Sequence, residues 1–244
     1  MTNEELVSEV CPIINSTGWA FYFTPETQAK GSELGLNGME FYVIGRGGPL
    51  GDCEGSAVAA AFGYFNPTTI CKAWDSAKAK VAPRVAGKAH LECSANLGRA
   101  KLTGVPHLAE FVIAADAVNE ATNPDGLTLY AAVKAEPLAT DTAGRAMQLV
   151  TILREFRGSA HLLAIRAVGL DTKTAHFAKR PNDIKLFGWS DDDPPHIDET
   201  VHRLMLEAET LTDRLVAPAY GILDQSGCAA LLAGAHAIKT ALNT

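Results

Sequence analysis

The chain has 244 residues, five cysteines and a net charge of −7, from 21 Lys and Arg against 28 Asp and Glu. That length makes one large domain or two small ones, with a core that needs no disulfide staples, and the acidic balance argues against a polyanionic partner. No run approaches the ~18 uninterrupted apolar residues of a membrane span, and the acidic stretch 1–10 has no signal-peptide core, so a cytoplasmic protein without membrane contact is expected.

In chain order, helix signals dominate. Thr24-Pro25-Glu26 places an N-cap before a proline at the first helical position, and Gly35 closes that helix about ten residues later. Leu36, Met39, Phe41, Val43 and Ile44 do not alternate cleanly and read as a helix running into glycines. Asn66-Pro67 starts a helix reaching about Val81. Leu108, Phe111, Val112 and Ala115 give the i, i+3, i+4, i+7 pattern of an amphipathic helix, and Asp125-Gly126 marks a turn. Residues 142–168 form a long helical stretch. A short hairpin is conceivable near Leu186–Trp189, and Asp191-Asp192-Asp193 reads as a helix-start cluster capped by Ser190. Ile197, Val201, Leu204, Ala208, Leu211 and Leu215 define the next helix, ended by Pro218, and Cys228, Leu231, Leu232, Ala235 and Ile238 define the last. The expected fold is all-α: a multi-helix bundle over 1–178, then a smaller C-terminal helical segment over 179–244, with the polar stretch Lys179–Pro195 as the boundary.

The stretch "IGRGGPLGD", Ile44 to Asp52, looks at first like a nucleotide-binding turn. The dinucleotide fingerprint fails: counting from Gly45, Leu50 stands where the third glycine belongs, and no Walker lysine follows. A helix end with a glycine-rich turn fits better. Its functional residue is Arg46, which either meets an anion or simply packs tightly.

The most informative segment is "LVTILREFRGSAHLLAIRAVGL". At 100° per residue, Leu149, Ile152, Leu153, Phe156, Ala160 and Leu163 form one apolar face, while Gln148, Thr151, Glu155 and Arg166 read as the solvent face. Arg154, Arg157 and His161 fall on neither. Three potential cations in a mostly apolar surround must be paired or solvated. Either internal carboxylates such as Glu26 or Glu40 hold them, or they face a cavity with a polar or anionic ligand. Gly158 sits mid-helix at a cost of about 1 kcal/mol against Ala, which suggests close approach of another group there.

The remaining signals are sparse. Cys11, Cys53, Cys71, Cys93 and Cys228 are scattered singly, as small buried thiols are. His90, His107 and His176 lie singly, and the spacing of His196 and His202 gives no metal pair, so no metal site is expected from spacing.

Taken together, "YFTPE", "LGLNGMEFYVIGRGGPLG", "FNP" and "LREFRGSAHLLAIRAVGLD…GWSDDD" resemble an uncharacterised actinobacterial family described as helix-turn-helix-like, with a winged-helix region near the C-terminus. Tyr22, Phe23, Pro25 and Glu26 match its first motif, and Arg46, Pro49, Leu50 and Gly51 its second. Arg154, Glu155, Arg157, Gly158 and His161 match its Arg-Glu-His-Arg-Gly-Asp-Gly-His core. Phe156 stands where the family often has His, and Ser159 and Ala160 replace Asp and Gly, so a role shared by two histidines does not carry over. The resemblance implies a degenerate winged-helix-like C-terminal segment, here without a wing.

Charge opposes the DNA contact that such a resemblance implies. From Pro181 onward there are four Lys or Arg against ten Asp or Glu, six of the seven net negative charges. The expected activity is therefore small-molecule binding. Arg46, Arg154, Arg157, Tyr22, Phe23 and Tyr42 would line a site for a polar or anionic ligand. The alternatives are an enzyme using His161 and Glu26 as acid and base, a haem or metal held by His161, and a winged-helix regulator. The cofactor stays open, and a homodimer is compatible with the sequence.

Overall fold

The computed structural model describes residues 2–243 and is all-α, with twelve α-helices and no strand among the described residues. In order they are α1 (Asn3–Thr17), α2 (Pro25–Glu33), α3 (Gly38–Gly47), α4 (Gly55–Phe62), α5 (Pro67–Lys78), α6 (Pro83–Lys101), α7 (Leu108–Ala121), α8 (Thr128–Lys134), α9 (Thr142–Ala167), α10 (Thr172–Lys179), α11 (Glu199–Tyr220) and α12 (Gln225–Leu242). No helix among the described residues is long and apolar enough to cross a membrane.

Local chemistry sets most helix starts. Thr24 accepts from the Thr27 amide ahead of Pro25, and Asn66 accepts from Thr68 ahead of Pro67. Asp141, Asp171, Asp198 and Asp224 cap α9 to α12. Two expectations about boundaries fail. Asp191–Asp193 do not start a helix: Ser190 bonds to Asp192 within the loop, and the helix begins later behind Asp198. Pro218 does not end α11 but lies inside its last turn.

The axis of the molecule is α9, 26 residues or about 39 Å long. It is surrounded by α1, α6, α7, α8, α10 and α11. That enclosure explains a further difference from expectation. Of the expected solvent face only Arg166 is exposed, while Gln148, Thr151 and Glu155 are 2%, 5% and 2% exposed, and Leu163 of the expected apolar face is 41% exposed. The buried polar groups are satisfied: Gln148 donates to the Leu91 carbonyl and accepts from the Ala139 amide, and the Thr151 hydroxyl bonds to Ser94.

The main core joins α1, α3, α7, α9 and α12 through residues such as Leu6, Ile44, Phe111, Leu153 and Ile238. A second cluster ties the end of α9 to α10 and α11 through Ile165, Ala175, Val201 and Met205. The connection 180–198 makes no hairpin. Phe187 stacks on Phe65 at 4.1 Å and lies 4.0 Å from His176, Trp189 donates from Nε1 to the Tyr64 carbonyl at 2.6 Å, and Gly188 turns at φ +77°.

Candidate functional site: two charged clusters along α9

The glycine stretch is the end of α3 and a 3₁₀ turn, Gly48–Leu50. Its glycines serve a close crossing with α6. A Cβ on Gly45 would lie 2.6 Å from the His90 Cβ, and one on Gly48 would lie 2.1 Å from the Pro83 carbonyl oxygen. The crossing brings Arg46 against α9.

There Arg46 meets Glu155. Arg46 donates from Nε at 2.9 Å and from Nη2 at 2.8 Å to the two carboxylate oxygens. Tyr22 donates from its hydroxyl to the same carboxylate at 3.0 Å, and so does Arg154 Nη1 at 3.0 Å. Arg154 Nη1 also reaches the Tyr22 hydroxyl at 3.2 Å, and Arg46 Nη1 reaches the Tyr42 hydroxyl at 3.2 Å. The Arg46 guanidinium lies 4.3 Å from the Phe62 ring centroid.

Burial by itself would raise the Glu155 carboxyl, but the charge and hydrogen bonds of Arg46, the charge of Arg154 and the Tyr22 hydroxyl hold it down at about 2. Two guanidiniums thus share one carboxylate, and among the described residues no second carboxylate pairs with either. The cluster carries one excess positive charge. Arg46 is nearly enclosed, while the Arg154 side chain is 21% exposed. His90 stands beside the cluster, buried, with its Nε2 unpartnered. Burial, and then the Arg46 charge, push it down to about 3, so it is neutral at pH 7. A part-open space between His90, Tyr22, Arg46 and Glu155 measures about 20 Å³, room for a water molecule.

A second cluster lies between α9 and α11. Arg157 Nη2 donates to Glu209 at 2.9 Å and to Asp213 at 3.1 Å, and Lys179 reaches Glu209 at 3.1 Å. His161 Nδ1 is 2.8 Å from the Thr212 hydroxyl, which itself bonds to the Ala208 carbonyl at 2.6 Å. A carbonyl only accepts, so the single hydroxyl proton points to Ala208 and His161 Nδ1 carries its own proton. Nε2 is left as the basic edge. Burial, with Arg157 and Lys179, pushes His161 below its ordinary value, against the opposing carboxylates. Tyr64 stacks on His161 at 6.3 Å with a left-handed backbone, φ +52°. Its hydroxyl and the Arg157 Nε are buried without partners.

The sequence-expected residues therefore divide. Tyr22, Tyr42, Arg46 and Arg154 come together. Arg157 and His161 face α11 instead. Phe23 is an exposed neighbour of Tyr22 and Tyr42. Glu26 is exposed on the first turn of α2, and the carboxylates that act on His161 are Glu209 and Asp213. Neither Glu26 nor Glu40 holds the arginines: Glu40 closes the capping box of α3 and binds Lys80 and Ser76. Gly158 is not pressed by a neighbour; it is exposed, with nothing within 4 Å of an added Cβ. The key residue missed was Glu155, whose available signals were its place between two arginines and its match to the family core. Among the described residues no three His, Cys, Asp or Glu side chains are grouped to hold a metal ion.

An all-helical chain organised around a buried Arg–Glu–Arg cluster is the class these features define. A family model described as a helix-turn-helix family matches residues 8–244, and the chain belongs to that family. No curated protein and no solved structure matches it.

Proposed function

We propose that this helix-turn-helix family member binds a small anionic molecule at the Arg154 edge of α9. The observation that carries the reading is the charge count: Arg46 and Arg154 share the single carboxylate of Glu155. A half-enclosed cluster with one surplus cation is stabilised by an anion at its open end. Arg154 is the more open of the two arginines, at 21% against 12% for Arg46, so the ligand meets Arg154 from outside, and the 20 Å³ space beside Glu155 is left to water.

The test is a thermal-shift titration with inorganic phosphate in low-salt buffer. The wild-type Tm is expected to rise with phosphate, and the rise is expected to vanish in Arg154→Gln. An equal response of the two proteins would overturn the reading.

Family membership favours a second reading, DNA binding through α11, the short connection after Tyr220, and α12. The exposed face of α12 carries Gln225, Ser226, His236, Lys239 and Thr240, only one of them a full cation. Salt-dependent retention of genomic DNA fragments would support this reading, and its absence at low salt would remove it.

A further inference from the structure

The open end of the Arg–Glu–Arg cluster has aromatic company that charge alone does not require. Trp19 and Phe23, in the turn between α1 and α2, are 49% and 44% exposed. The Phe23 ring lies 6.4 Å from Tyr22, edge-on, and 5.6 Å from Tyr42. The Arg154 guanidinium lies 5.4 Å from the same Tyr22 ring. Tyr22 is thus the common neighbour of an exposed ring and a part-open cation. Trp19 follows Gly18, where an added Cβ would come within 2.8 Å of the Arg154 side chain. One turn along α9, Gly158 leaves its surroundings empty to 4 Å, so a bound molecule has room beside Arg154.

Single exposed apolar residues are ordinary on a protein surface. An exposed ring and a part-open surplus cation that share Tyr22 form a more specific arrangement, since flat rings stack on aromatic side chains while the cation fixes an attached anion. We propose that the ligand is a ring-bearing carboxylate or phosphate ester, its anion on Arg154 and its ring against Phe23, with Trp19 of the same turn as a second exposed ring. The proposal rests on the anion reading above and narrows it. The ring lies outside the fold, because the space of about 20 Å³ beside Glu155 holds nothing larger than water.

Isothermal titration of the full chain in low-salt, phosphate-free buffer with inorganic phosphate, phenyl phosphate and benzoate tests it. At least one ring-bearing probe is expected to bind about tenfold tighter than inorganic phosphate, the gain of an aromatic contact. The double variant Trp19→Ala/Phe23→Ala is expected to lose that tenfold advantage and keep its affinity for inorganic phosphate. Arg154→Lys, which keeps the charge, is expected to retain weakened binding of all probes that bind the wild type. The tighter of phenyl phosphate and benzoate identifies the anion. Equal affinities of ring-bearing and inorganic anions would overturn this proposal and leave the anion reading standing. No binding by any probe would overturn both.

Discussion

The two charged clusters along α9 solve the same problem in opposite ways. Around Glu155, two arginines converge on one carboxylate that is 2% exposed. Around Arg157, two carboxylates answer Arg157 and Lys179, and both are about a third exposed. The second cluster is balanced and wet, a tie between α9 and α11. The first is unbalanced, and its carboxylate is dry. In such a place each ion depends on its partner, because removing one leaves an uncompensated charge away from water. The contrast separates a structural contact from a candidate binding site without reference to any motif.

The largest effect expected is for Glu155→Gln, which strands two guanidiniums. It should cost about 3–5 kcal/mol in urea unfolding. A loss no larger than that of Asp213→Asn would erase the distinction between the clusters. Gly45→Ala comes next, at about 1–3 kcal/mol, because its Cβ would force His90 and α6 away from Arg46. Asp213→Asn should cost about 1 kcal/mol or less by the same measurement, since Glu209 still holds Arg157 and the site is part-exposed. Gly158→Ala should stabilise by about 0.5–1 kcal/mol, as an exposed mid-helix glycine with free space around it. A destabilising result there would mean that another group occupies the open face of α9.

Acidity sharpens the comparison further. His90 sits at about 3 against an ordinary 6.5, so the folded state resists a proton that the unfolded chain accepts. Its contribution to stability is full above about pH 6.5 and is lost as pH falls toward 3. Glu155, at about 2 against 4.5, contributes fully above about pH 4.5 and loses its contribution as pH falls toward 2. Urea midpoints should therefore decline in two stages on acidification. His90→Gln should flatten the slope between pH 6.5 and 4.5, and an unchanged slope would place that titration elsewhere.

Local signals in the sequence determined a good part of this protein. The Thr24-Pro25 and Asn66-Pro67 starts, the amphipathic helix after His107 and the long helix from Thr142 all stand where capping and periodicity put them. These features act within one or two turns and need no partner. The 19-residue α6 carried no comparable signal, because its buried face mixes His90, Ser94, Gly87 and Gly98 with few large apolar residues. That Arg46 approaches the arginine-bearing helix was legible from the glycines around it; what it meets there was not. Periodicity assigns polar residues to solvent, so Glu155 looked exposed when read along the helix alone. Only the tertiary structure, by closing α1 and α6 around α9 and bringing Arg46 of α3 to it, decided that this carboxylate is buried and that two arginines share it. A polar group can be buried wherever distant partners satisfy it, and those partners, at Tyr22 and Arg46, lie more than a hundred residues away.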